Sequence, residues 1–420
     1  MNKSMLSSSY RLLQLLMVML SLGATMLVYA QAPKPPSLSH KEFNEVIPIV
    51  VENNKIFLRA KINNKEFRFI FDSGSPTVIT TQAAQAAGLK PVGQQGAVAK
   101  NTGTDANGVA VTMDKYQVDT LQLGGVAFSN FTALVFDPSH LPIGGCVLDG
   151  GVIGSDLFPQ AVWQLNAQDN TLTIASSVKA LKYVKKSKNT KEVPLLQFGY
   201  PFAPIFDYKV GKHLNDKLMF DTGAPILVAL AKPAYEAINN AREQQGQLGD
   251  IGTIVARGYA PESAARITQE QDVVEVPLDS LAIGKLNLTD INASVRAKAP
   301  SLLGAVILKS HIVTLDYPNK KSYFYAYNTD YKPPLESQVQ FRLDGDKVQV
   351  SYIGKGSESE RRGVQLGHTV WNINGVDVGT INDKNRCEKV RWLLSLKYSP
   401  QIEYTLMVNG LEQKIVEKGS

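Results

Sequence analysis

Two cysteines, three tryptophans and five histidines are spread through 420 residues, and this scarcity closes off several chemistries. The histidines, at 40, 140, 213, 311 and 368, form no HExxH motif and no paired spacing that would seat a metal ion. Neither Cys146 nor Cys387 lies in a recognisable nucleophile signature. No G-x-S-x-G elbow and no Walker A loop occurs. No metal and no organic cofactor is therefore expected. Beyond residue 30 no apolar run approaches the roughly 20 residues that span a bilayer. The formal net charge of +6 is small, and no Arg/Lys stripe interleaved with aromatics is present. Nucleic acid is not the expected partner.

What is present describes an exported globular chain. Apolar residues make up 44% and charged residues 20%, which fits a folded protein rather than a disordered one. The length predicts two or three domains. Lys3 and Arg11 precede an apolar run from Leu12 to Val28, and Val28-Tyr29-Ala30 has the small and apolar residues of a cleavage site. Residues 1–30 read as a signal peptide, with a retained anchor as the alternative. Its removal leaves a net charge of 6 − 2 = +4. The expected location is the periplasm, the cell envelope or the medium. Residues 31–44 form a Pro-rich leader. The two cysteines are 387 − 146 = 241 residues apart, and the sequence leaves open whether they pair.

The chain repeats itself. Phe67-Arg-Phe-Ile-Phe-Asp72 is matched by Asp216-Lys-Leu-Met-Phe-Asp221, Leu121-Gln-Leu-Gly124 by Leu281-Ala-Ile-Gly284, and Val152-Ile-Gly154 by Leu302-Leu-Gly304. The offsets are 221 − 72 = 149, 281 − 121 = 160 and 304 − 154 = 150. Order is kept and spacing nearly so, as in two copies of one lobe. Each copy consists of short alternating or apolar runs punctuated by Gly, Asn and Asp, which predicts a mostly β architecture. One helix is expected after each acidic motif, over 81–87 and 232–245.

Chemistry resides in Asp72-Ser73-Gly74-Ser75 and Asp221-Thr222-Gly223-Ala224. In each, an acid ends an apolar β run and is followed at once by a hydroxyl residue and a glycine. A buried carboxylate needs donors, and glycine lets backbone N–H groups come close. Closing two copies about a pseudo-two-fold axis would bring Asp72 and Asp221 together. Two adjoining carboxyls share a proton, one acting as acid and the other as base toward a water between them.

These residues resemble the bacterial retropepsin-like aspartyl proteases, here with two fused lobes; the resemblance covers most of residues 45 to 328. It implies two β-barrel lobes at 45–178 and 192–328, joined by a Lys-rich linker at 179–191. It also implies that Asp72 and Asp221 are catalytic. Ser73 and Thr222 would brace the two loops, Gly74 and Gly223 would face the carboxylates, and Gly154 and Gly304 would pack beneath them. Ser75 is expected to donate to Asp72, which Ala224 cannot do for Asp221, so Asp72 should be the better-stabilised anion. Flap hairpins are expected around Asn107-Gly108 and around Gly258-Tyr259, with Tyr116 and Tyr259 as substrate contacts.

After a linker at 329–337, residues 338–420 resemble a PDZ domain of the bacterial protease type. The matching stretches are Val348 to Tyr352, Gly363 to Gly367 and Val370 to Gly375. Glu360-Arg361-Arg362 and His368 depart from that pattern. The expected activity is aspartic endopeptidase action on a polypeptide by a monomer, with a C-terminal peptide as a candidate ligand of the PDZ-like part. One alternative is a non-catalytic peptide-binding envelope protein on the same scaffold. Another is an envelope glycosidase, which would hold its two acids about 5–9.5 Å apart.

Overall fold

The alternating run Lys55–Ile62 forms the strand that its pattern predicts, and both expected helices are present at Thr81–Ala86 and Lys232–Glu243. The computed structural model describes residues 35–419 apart from 95–96, 106, 142, 248, 261–268, 298–299, 333 and 380. The signal segment 1–30, leader residues 31–34, Ala106 of the first flap turn and Pro333 of the second linker lie outside the described residues. Strands dominate, so the chain is mostly β. No helix among the described residues is long and apolar enough to cross a membrane.

The repeat read from the sequence is a repeat of topology. Lys65–Asp72 runs parallel to Gly151–Gly154, with Asp72 opposite Gly154. Leu214–Asp221 runs parallel to Ser301–Gly304, with Asp221 opposite Gly304. The short strands Val78–Thr80 and Val228–Ala231 pack antiparallel on the other edge of these two glycine-ended strands. Long hairpins, Ala110–Leu123 with Val126–Phe136 and Glu270–Ile283 with Leu286–Arg296, complete each half. Their turns use Gly124 and Gly284 at φ +58° and +56°, a left-handed conformation that glycine adopts without steric cost.

The halves join edge to edge. In the pairing of Val162–Asn166 with His311–Asp316, Trp163 faces Leu315 and Leu165 faces Val313. Trp163 follows Gly154 by nine residues, and Val313 follows Gly304 by nine. Exchanging the halves therefore preserves the pairing, as a pseudo-two-fold axis requires. The core beneath the first acidic turn is aromatic. Phe71 stacks on Phe158 with ring centroids 5.3 Å apart, and Trp163 lies 4.7 Å from Phe158. Burying one such ring stabilises by about 1.5–3 kcal/mol, so the residue just before Asp72 is firmly held. Phe220, just before Asp221, is equally buried.

Residues 339–418 build a separate core around Val348, Val350, Ile373, Val390, Tyr404 and Leu406. Their strand Lys347–Gly354 also pairs with Thr253–Tyr259 of the second half, so one sheet runs through both. They reach the first half at two further points. Asn54 Nδ2 donates to Tyr398 Oη at 2.8 Å. Cys146, in the short helix Gly144–Val147, is disulfide-bonded to Cys387 in the helix Arg386–Ser395, which answers the question of pairing that the sequence left open. The segment carrying Cys146 is an elaboration of the repeat. Residues 137–150 connect Phe136 to Gly151, where the second half uses only 297–300 between Arg296 and Ser301.

Candidate active site

Each acidic residue closes a strand and opens a tight turn. In both turns the Asp side chain accepts from the backbone N–H of the glycine two residues on: Gly74 N to Asp72 Oδ1 and Gly223 N to Asp221 Oδ1, both 2.9 Å. The turns are locked to each other by reciprocal bonds. Ser73 N donates to Thr222 Oγ1 and Thr222 N donates to Ser73 Oγ, each at 3.0 Å. The hydroxyls pass on their own protons, Ser73 Oγ to Phe220 O at 2.7 Å and Thr222 Oγ1 to Phe71 O at 2.9 Å. Both side chains are fully buried, so every one of these groups would be costly unpaired.

The glycines are required by close approach across the axis. A Cβ on Gly74 would stand 2.6 Å from Asp221 Cγ, and one on Gly223 would stand 2.4 Å from Asp72 Oδ2. Gly154 and Gly304 are equally constrained, with a hypothetical Cβ 2.1 Å from Pro76 C and 2.2 Å from Ile226 O. Ser155 N donates to Ser75 O at 2.8 Å and Ala305 N to Ala224 O at 2.9 Å, which ties each glycine-ended strand to its turn.

The carboxyls of Asp72 and Asp221 adjoin across the axis, each packed against the glycine of the opposite turn. Burial, then the charge and hydrogen bond of Asp72, hold Asp221 well above the ordinary carboxylate range, while the Gly223 N–H and Lys55 pull it down. A pair in this state offers one proton and one lone pair at adjoining atoms, which can activate a water. Among the described residues no group of His, Cys, Asp and Glu is arranged to hold a metal.

Three sequence expectations are corrected. Ser75 Oγ donates to Pro76 O at 3.0 Å rather than to Asp72, because its turn directs the hydroxyl along its own backbone. Gly258 and Tyr259 lie in a hairpin as expected, but on its strand and not in its turn. They end the strand Thr253–Tyr259, where Gly258 pairs with Gln271 on one edge and with Tyr352 on the other. Tyr259 is held under the Arg342 guanidinium, 3.6 Å from the ring centroid, which places it against the C-terminal part instead of leaving it free for a substrate. Tyr116 packs partly buried against the core. The first hairpin is as expected. Asn107 and Gly108 lie in the turn between Lys100–Thr104 and Ala110–Leu123, with Asp105 Oδ1 accepting from Asn107 N and Val109 N.

Several site residues escaped sequence reading. Asp156, buried, accepts from Thr77 N at 2.9 Å and from Thr77 Oγ1 at 2.6 Å; Thr77 Oγ1 in turn accepts from Gly154 N at 3.1 Å. Burial raises the Asp156 carboxyl to about 6 against these donors. An acid inside the otherwise apolar Val-Ile-Gly-Ser-Asp-Leu-Phe was a usable signal. Lys55 Nζ donates to Gly223 O at 2.7 Å, and Arg296 is half-buried, its guanidinium pushed down by burial against the opposing charge of Asp221. Nothing in the sequence marks these two basic residues out.

Residues 58–157 match the sequence profile of the aspartyl protease family. Among solved structures, the aspartic proteinase from Irpex lacteus is similar, with a TM-score of 0.40 and 13% identity over 69% of this chain and 99% of that one. No curated protein matches the chain. The segment containing the first acidic turn, Asp156 and Gly154 is thus similar in sequence to aspartyl proteases.

Proposed function

We propose that the chain is an exported aspartic endopeptidase that hydrolyses peptide bonds in polypeptides with Asp72 and Asp221. The observation that carries this reading is the symmetric cage: two turns braced through Ser73 and Thr222, each glycine N–H holding its own Asp and each glycine packed against the opposite carboxyl, with Asp221 raised by burial and by Asp72. Asp72 takes a proton from water as the water oxygen attacks the amide carbon, and Asp221 gives its proton to the carbonyl oxygen. The tetrahedral diol then collapses. Its C–N bond breaks, the nitrogen leaves protonated, and the acid and amine fragments depart with the pair again sharing one proton.

The basic, apolar N-terminal segment and the Cys146–Cys387 bond both fit an oxidising compartment outside the cytoplasm. Residues 338–420 are read as a PDZ-like module. Its strand Val339–Asp344 pairs only on its Lys347–Gly354 edge among the described residues, and the helix Arg386–Ser395 lies beside it. An extended chain terminus added to that free edge is the binding mode proposed.

The test is cleavage of a diverse peptide library from pH 3 to 8 by the wild type, Asp72→Asn and Asp221→Asn. Cleavage that either substitution abolishes is the expected result. Absence of cleavage at every pH by protein shown to be folded would refute the peptidase reading and favour a peptide-binding role.

A further inference from the structure

The two turns match in backbone and brace but differ in charge. Ile56 pairs with Phe71, and Pro204 O accepts from Phe220 N at 2.8 Å beside the Ile205–Met219 pair, so Lys55 and Ala203 occupy equivalent places before their strands. Phe136 opposite Thr80 and Arg296 opposite Ala231 are equivalent in the same way. Each cation thus has an uncharged counterpart in the other half, and both bear on Asp221. Lys55 comes from the first half, crosses to the second turn and binds Gly223 O at 2.7 Å. That same glycine's N–H holds Asp221 Oδ1. Ala203 has no charge to offer Asp72.

Building on the peptidase reading, we propose that Lys55 is a positioning residue for Asp221: its ammonium fixes the second turn through Gly223 and makes the acid pair electrically lopsided. The groups facing Asp221 are Asp72 from the first turn, Lys55 from the strand Lys55–Ile62 and Arg296 from the end of Leu286–Arg296. A positive charge beside the pair favours its fully ionised form and so promotes loss of the shared proton. Because hydrolysis needs that proton, Lys55 sets how far activity extends into alkaline pH. Its removal lets the pair keep the proton to higher pH.

The experiment is the pH profile of kcat/KM for the wild type, Lys55→Gln, Lys55→Met and Lys55→Arg. Lys55→Gln keeps a donor and loses the charge, and its alkaline limb should move up by roughly one pH unit. Lys55→Met should show the same shift with kcat lowered several-fold, and Lys55→Arg should keep the wild-type limb. A Lys55→Gln profile that superimposes on the wild type, or a Lys55→Arg limb shifted as far as that of Lys55→Gln, overturns the proposal. If Lys55→Met does not fold, the other two variants decide. Carboxyl-carbon NMR titration of Asp-labelled protein reads the same shift without turnover. A wild type that cleaves nothing, with the pair's proton still retained to higher pH in Lys55→Gln, would end the peptidase reading and leave the role of Lys55 standing. Cleavage with an unmoved titration would do the reverse.

Discussion

Ser73 and Thr222, 149 residues apart in sequence, exchange hydrogen bonds so that each backbone N–H rests on the other's hydroxyl at 3.0 Å. Neither turn is complete alone; each supplies the acceptor that the other's N–H requires. Replacing Ser73 with Ala leaves Thr222 N and Phe220 O unpaired in a dry site, and Thr222→Ala does the same to Ser73 N. Each single variant should lose about 2–4 kcal/mol in urea unfolding, and Thr222→Ser much less. The double variant should cost clearly less than the sum, because the second change removes a partner already lost. Additive losses would show that the bonds do not act as one unit.

Gly74→Ala and Gly223→Ala should abolish turnover while leaving a folded protein. The new methyl would meet the opposite carboxyl at 2.6 Å or 2.4 Å, so the pair must separate. Circular dichroism combined with kcat on a cleaved peptide checks this. Wild-type kcat in either variant would mean that contact between the carboxyls is dispensable.

Asp156 predicts a pH dependence of stability. Its folded pKa of about 6 lies above the unfolded value, so the folded state binds this proton more tightly. The stabilisation is fully present at low pH and is lost as pH rises from about 4 through 6. By register, Val228 and Val306 stand in the second half where Thr77 and Asp156 stand in the first. The double variant Thr77→Val, Asp156→Val copies that apolar pair. Relative to wild type it should gain on the order of 3 kcal/mol between pH 4 and pH 7.5. Parallel stability curves for the two proteins would contradict the assignment.

The Cys146–Cys387 bond joins an elaborated connection of the first half to a helix whose own sheet is continuous with the second half. Reduction, or Cys146→Ser with Cys387→Ser, should lower stability by about 2–4 kcal/mol. The strand pairing of Ala256, Arg257 and Gly258 should survive, and with it amide-exchange protection there. Loss of that protection on reduction would show that the disulfide holds the sheet together.

Much of this architecture was legible because it is encoded locally and twice. The runs ending at Asp72 and Asp221, the glycines 154 and 304, and the Leu-x-Leu/Ile-Gly turns at 124 and 284 recur in order, and each recurs in the fold with the same register. Local patterning also located Lys55–Ile62 and both helices after the acidic turns. It did not reveal that the strand carrying Gly258 and Tyr259 has its other edge covered by Lys347–Gly354, almost a hundred residues on.

Composition and repetition were enough to specify a mostly β chain with two acidic turns, since residue types and strand periods are properties of short segments. Long-range contact settled the rest. That Ser75 turns to its own backbone, that Cys146 meets Cys387, that Asp156 is buried on Thr77 and that Lys55 lends its charge to the opposite turn all depend on which distant backbone lies within about 3 Å. Hydrogen bonds and desolvation act over that range alone, and the sequence order of the partners carries no trace of it.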